Sequence, residues 1–431
     1  MAISNIKPNG FYRREKEEEI IMNNNKPLNG IKVIELSTYV AAPACGRMLA
    51  DWGAEVIKVE SDNGDVFRVF GKGLDVPATD EENPLFDMAN AGKKSIVINL
   101  KTEAGIKVMH DLIADADVFL TNNRIKALGK IGLDYETLKL KYPRLVYAII
   151  TGFGDKGPEV NNPGFDTVAF WASGGFLADL SIDGPGSYPV GTPAALGDIS
   201  CGTTLFGGVM AALLNREKTG LGDRVTVSLF GAAVWFMGFM NTIAQKKYGY
   251  KYPRTRYEGN PVAIPYKTKD GEWIMTSILE YERYFPSLCK VVGVDELAHD
   301  PRFISKAALL DPENRKTLVK ILEERFETKT SAEWIKLLTE ADIVHDRLKH
   351  FKEIAESEQA VVNNFISEFE FSNGEKAMLP RPALQSDNLG TPEYTRGPLL
   401  GENTNEVLRS IGYDEAKIND MIQTNIVKGK S

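Results

Sequence analysis

From about residue 28 the chain alternates short apolar runs with segments of helical spacing. Ile31–Leu36 and Ala54–Glu60 read as strands. Between them Pro43 suits a first helical turn, Cys45, Met48, Leu49 and Trp52 follow at helical intervals, and Gly53 suits a C-cap. This β-α-β unit implies parallel strands. The alternation continues with a strand at Ser95–Leu100, a helix at Thr102–Ala114, a strand at Val118–Thr121, a helix at Tyr135–Leu140 and a strand at Leu145–Ile150. Such a pattern predicts an open α/β sheet of Rossmann type.

At Thr151–Asp166 the pattern gives way to a loop carrying Gly152, Gly154, Gly157, Pro158, Pro163 and Gly164. Helices are expected at Asp166–Asp179 and Leu196–Asn215. The second is rich in Gly, Ala, Ser and Thr and suits close approach to a neighbouring backbone. Arg224–Ser228 reads as a strand and Ala232–Tyr248 as a long helix, with the apolar stretch Leu229–Met240 expected to be buried. Asp270-Gly271 and Asn373-Gly374 signal hairpins, the first of type I′. Charged helical segments run to about Lys349, and two short helices close the chain. No linker or repeat interrupts it, so the middle reads as an insertion into one large domain to which the C-terminus returns. The expected boundaries are a disordered extension at 1–27, the first part of the large domain at 28–228, a linker helix at 229–249, a small α+β domain at 250–330 and the returning segment at 331–431.

A length of 431 residues agrees with two or three folding units. With 43% hydrophobic and 26% charged residues, disorder, collagen and coiled coil are excluded as the main class. The net charge of -8 argues against holding nucleic acid or an anionic membrane by bulk charge. Cys45, Cys201 and Cys289 lack CxxC spacing and fit a reduced interior. No run reaches the roughly 18 unbroken apolar residues of a membrane span. The first residues lack a secretory apolar core, translation is expected to start at Met22, and a cytoplasmic location is the default expectation.

The first β-α turn, Ser37 to Pro43, lacks the G-x-G-x-x-G of dinucleotide sites, and no P-loop is present. His110, His299, His345 and His350 stand at no recognised metal spacing, and no G-x-S-x-G elbow exists. A carboxylate mechanism is what remains. Asp166 lies between a Gly/Pro-rich loop and an apolar helical run. An aspartate there serves ordinarily as an N-cap. The functional reading is a nucleophile, with backbone N–H groups among the glycines holding the oxyanion of a reacting carbonyl. Spacing leaves both readings open.

The ordered motifs Leu28-Asn-Gly-Ile-Lys-Val-Ile-Glu-Leu36, Ala42-Pro43, Leu49-Ala-Asp-Trp-Gly-Ala-Glu-Val-Ile-Lys-Val-Glu60, Asn90-Ala-Gly-Lys-Lys-Ser-Ile, Gly152-Phe-Gly-Asp-Lys-Gly-Pro158, Gly164-Phe-Asp166 and Thr219-Gly-Leu-Gly-Asp223 carry a resemblance. The chain resembles the class III CoA-transferases, the formyl-CoA and carnitine CoA-transferase family, from about Leu28 to Val427. Pro163-Gly-Phe-Asp-Thr-Val-Ala-Phe-Trp-Ala-Ser-Gly-Gly175 is similar to the clostridial branch that acts on 2-hydroxy acids such as 2-hydroxyisocaproate and phenyllactate in amino-acid fermentation.

The resemblance implies a Rossmann-like large domain built from N- and C-terminal segments, a smaller α+β middle domain, and an interlocked homodimer. Asp166 would be the catalytic nucleophile, passing CoA through a mixed anhydride and an aspartyl-CoA thioester. No metal and no permanently bound cofactor is implied. Coenzyme A and acyl-CoA enter as substrates with a free carboxylic acid. For CoA it implies Lys93, Lys94 and Arg124, each also readable as a solvated charge, and the first-turn residues Val40 and Ala41. Val40 replaces a glutamine of the formyl-CoA type, which disfavours an oxalate-like substrate. Gly259 and Asn260 fall in the expected closing loop, which here has a single glycine. Phe170, Trp171 or Trp235 would line an acyl pocket, although such residues more often pack cores. Two alternatives stand beside this. A 2-methylacyl-CoA racemase has its aspartate matched by Asp198, but Phe165 replaces its histidine. A non-catalytic CoA-binding protein is the other.

Overall fold

The computed structural model describes residues 26–181, 191–390 and 392–429, so residues 1–25 and the expected start at Met22 lie outside the described residues. The chain folds first into β1 (Lys32–Leu36), α1 (Ala41–Asp51), β2 (Glu55–Glu60), β3 (Lys94–Ile98), α2 (Glu103–Ala114) and β4 (Val118–Thr121). It continues with α3 (Ile125–Lys130), α4 (Tyr135–Lys141), β5 (Val146–Thr151), α5 (Leu196–Thr219), β6 (Arg224–Ser228) and α6 (Leu229–Phe236). The six strands are parallel in the order 3-2-1-4-5-6, and the short strand Val427–Lys428 adds antiparallel to β3. The α/β class with a parallel sheet is therefore as the alternation predicted.

Alternate strand residues Ile34, Ile57, Ile96, Phe119, Tyr147 and Ile149 bury one sheet face with Val108, Met109 and Leu112 of α2. Thr102 caps α2 by accepting the Gly105 N–H, an interaction worth about 1 kcal/mol. Ile418 and Met421 from the C-terminal helix Glu415–Gln423 join the same core. On α5, Gly202 admits close contact with α1. A Cβ there would lie 2.7 Å from the Ala41 carbonyl oxygen and 2.8 Å from the Ala44 Cβ. By length and composition α5 also qualifies as a membrane span, which counting unbroken apolar residues did not anticipate. Its buried Arg216 is ion-paired with Asp117 at 2.8 Å.

Strand order reverses around β1, with β2 on one side and β4 on the other. The loops leaving β1 and β4 therefore diverge, and such switch points are where open α/β sheets bind ligands. Asn122 ties the two loops together, accepting the Thr38 N–H at 3.1 Å and donating to the Thr38 carbonyl at 2.7 Å.

The described residues divide into two compact units, one drawn from 26–174, 192–238, 357–390 and 392–429, the other from 175–181, 191 and 239–356. The second unit runs to Glu356, past the boundary expected at 330. Trp334 and Leu338 of the helix Ser331–Glu340 fill its core beside Tyr266, Phe285 and Phe326. Two further expectations need correction. The long helix over 232–248 is broken: α6 ends at Phe236 and a separate helix spans Gly238–Ile243, with Trp235 and Phe239 exposed rather than buried. The first hairpin, Pro265–Lys267 with Trp273–Thr276, forms, but not through a type I′ turn. Only Gly271 of the pair has positive φ, and the Asp270 carboxylate instead accepts from the Ser331 N–H and hydroxyl.

Candidate active site

Asp166 opens a π-helical turn, Asp166–Ala172, a rare geometry that recurs at functional sites. It is the first helical residue and not the cap, a place taken by Phe165, so the N-cap reading fails. Its side chain, only 6% exposed, meets the first turn of α5. A Cβ on Gly197 would lie 2.2 Å from Asp166 Oδ1 and 2.4 Å from Phe170 Cγ, so glycine alone admits the carboxylate. Among the described residues no donor completes a conventional hydrogen bond to either Asp166 oxygen. A buried, unsatisfied carboxylate at a helix N-terminus calls for a chemical explanation.

Burial raises the Asp166 pKa, and the facing Gly197 N–H, the Trp171 indole and the N–H groups of Asp198 and Ala195 oppose the rise. Asp198, one residue further along α5, is pushed up to about 7 by burial and then by the charge of Asp166. The same burial, with both carboxylates, raises the Cys201 thiol to about 12, which keeps it protonated and poorly nucleophilic. The arrangement is thus one partly desolvated carboxylate, a neighbour that titrates near neutrality, and N–H groups aimed at the first. Sequence reading found Asp166 but gave Gly197 no role. The signal was present in the glycine preceding Asp198 at the start of a long apolar helix.

The first β-α turn lies on a buried ionic network. Lys58, fully buried, sits 3.1 Å from Glu35 and 2.9 Å from Asp65, and Lys93 is 2.8 Å from Glu35. Burial opposes ionisation of Glu35, yet Lys93 and Lys58 hold its carboxyl below the usual range. Asp65 accepts the N–H of Tyr39, which has φ 62°, a conformation costing a non-glycine residue about 1–2 kcal/mol.

The implied CoA contacts divide accordingly. Lys93 is a correction: its ammonium is buried and donates to the Pro43 carbonyl and to Asn90 Oδ1, so it is committed within the fold. Lys94 is partly exposed but bridges Glu55 at 2.6 Å and Glu406 at 2.7 Å. Arg124, exposed at the start of α3, has no carboxylate partner among the described residues, and Lys126 and Lys130 on α3 are exposed too. Val40 and Ala41 are buried where α1 begins without a side-chain cap. Phe170 and Trp171 are buried behind Asp166 and pack edge to face at 6.0 Å, so the expectation that they line an open pocket fails. Gly259 and Asn260 belong to the second unit. There Asn260 Oδ1 accepts the Val262 N–H, and a Cβ on Gly259 would lie 3.2 Å from Ile264.

A family profile described as CoA-transferase family III matches residues 28–404. The chain is 40% identical over 402 residues to the (R)-2-hydroxy-4-methylpentanoate CoA-transferase of Clostridioides difficile, covering 93% of this chain and 99% of the relative. It is 41% identical over 401 residues to the cinnamoyl-CoA:phenyllactate CoA-transferase of Clostridium sporogenes, covering 93% and 97%. Among solved structures, a CAIB/BAIF family protein from Brucella suis aligns with a TM-score of 0.74 at 28% identity, covering 90% of this chain and 99% of that one.

Proposed function

The chain belongs to CoA-transferase family III, and from that premise we propose that it moves CoA from an acyl-CoA to a free 2-hydroxy acid, such as 2-hydroxyisocaproate or phenyllactate, through Asp166. The observation that carries this reading is the Asp166 carboxylate, buried against the first turn of α5 with the N–H groups of Gly197 and Asp198 facing it. Such a carboxylate has lost the water that would blunt its attack on a thioester carbonyl.

The attack expels CoA thiolate and leaves the acyl group joined to Asp166 as a mixed anhydride. The thiolate then adds to Asp166 Cγ, the donor carboxylate leaves, and an aspartyl-CoA thioester remains. While Cγ is tetrahedral, negative charge gathers on an aspartyl oxygen, and the N–H groups of Gly197 and Asp198 face that position. The acceptor carboxylate repeats the two steps in reverse order, so Asp166 is regenerated with no water consumed. Asp198, pushed up to about 7, carries less negative charge beside the incoming carboxylate than an ordinary aspartate would.

Arg124, with Lys126 and Lys130, would meet CoA phosphate, while Val40 and Ala41, where α1 begins, would lie at the thioester end of CoA. A homodimer, interlocked as in the family, is part of the proposal. Its support is the exposure of Leu214 on α5 and of Trp235 and Phe236 on α6. Cytoplasmic location completes it.

Mass spectrometry of CoA exchange between acyl-CoAs and 2-hydroxy acids in D2O tests the reading. CoA should pass to the free acid without α-deuterium uptake, and Asp166→Ala should abolish it. Deuterium uptake without exchange would replace this reading with a racemase.

A further inference from the structure

Tyr39 occupies a left-handed backbone conformation that glycine would adopt without strain, yet the chain places a large aromatic ring there. The conformation is held from below. Asp65 Oδ1 accepts the Tyr39 N–H at 3.1 Å, and Asp65 Oδ2 lies 2.9 Å from the fully buried Lys58 ammonium. Strain sustained by so much buried structure points to a use for the side chain it positions.

That side chain meets Phe165, the residue before Asp166, edge to face with ring centroids 5.2 Å apart. Phe165 is 57% exposed, so much of its surface is open beside the carboxylate. Behind the pair stand Val40, Phe67 and Phe86, with Ala195 and Ile199 packed against them. Ala195 also supplies one of the N–H groups facing Asp166. One apolar cluster therefore borders the carboxylate both through its chain neighbour and through the start of α5. The other two aromatics near Asp166, Phe170 and Trp171, are closed off in the core.

We propose that Tyr39 and Phe165, backed by Val40, Phe67 and Ile199, form the acyl-chain subsite of the reaction at Asp166, and that it takes chains ending in a branched alkyl group or an aromatic ring. This rests on the CoA-transfer reading. The rings offer contact area to such a chain, while a compact dicarboxylate would set its second charge against an apolar wall with no partner for it.

The experiment compares kcat/KM for 4-methylpentanoyl-CoA and 3-phenylpropanoyl-CoA with that for acetyl-CoA, using one acceptor acid throughout. It is run on the wild type, Tyr39→Gly, Tyr39→Phe and Phe165→Leu. Saturation-transfer NMR of 3-phenylpropanoate and acetate on the same proteins reports binding without turnover. The large-chain to acetyl ratio should fall at least about tenfold in Tyr39→Gly and stay at the wild-type value in Tyr39→Phe. If Tyr39→Gly does not fold, Phe165→Leu carries the same comparison. Equal losses on every donor, or an unchanged ratio, would overturn the subsite while leaving transfer through Asp166 standing. A wild type that transfers no CoA, yet binds 3-phenylpropanoate over acetate in a Tyr39-dependent way, would overturn the transferase reading and keep the subsite. A wild type with neither property would overturn both.

Discussion

Asp198 lies in the first turn of α5, which the Asp166 carboxylate faces, and burial and then the Asp166 charge oppose its ionisation. Its folded-state pKa of about 7 lies above the unfolded value, so the native state holds the proton more tightly. Below about pH 4 both states are protonated and Asp198 contributes nothing. Between there and pH 7 the unfolded chain ionises first, and native stability falls as pH rises. Asp198→Asn removes that loss. The variant should match the wild type in stability near pH 4 and exceed it above pH 7, by up to about 4 kcal/mol, in denaturant titrations at each pH. At this scale the junction at Asp166 between a Gly/Pro-rich loop and a helical turn was legible. Its surroundings were not. Gly197 and Tyr39 come from distant segments, and only the packing of α5 on α1 and the tie from Asp65 bring them together.

Among the elements, β4 and β6 keep the bounds read from the sequence, because continuous apolar or β-branched runs leave little choice. The turn at Asp166 was read as the start of an ordinary helix, since π geometry leaves no trace in hydrophobic spacing. Lys93 shows the same limit for charge. A lysine in a motif reads as a surface cation until the sheet places Glu35 2.8 Å away. Removing one partner of a buried pair leaves an uncompensated charge, so Lys93→Met should lower stability by about 3–5 kcal/mol in chemical denaturation. Its KM for acyl-CoA should remain within about twofold of the wild type, because the ammonium faces the interior. A raised KM at full stability would restore Lys93 as a CoA contact.

For the whole molecule, the C-terminal helix Glu415–Gln423 packs into the core of the sheet, and the division at 356 depends on which core Trp334 enters. Exposure on α6 also contradicted a reading based on apolarity alone, because a run of apolar residues does not say which of them the fold covers. If that surface is covered in a homodimer, Trp235→Asp combined with Phe236→Asp should convert a dimer to a monomer in sedimentation equilibrium. A wild-type monomer would remove the proposal. The central claim is that CoA travels on Asp166, and it is tested most directly by acid-quenching the enzyme with acyl-CoA in the absence of acceptor. Peptide mass spectrometry should find CoA in thioester linkage on the peptide containing Asp166, and no adduct in Asp166→Ala. Full turnover by that variant, or CoA linked to another residue, would contradict the account.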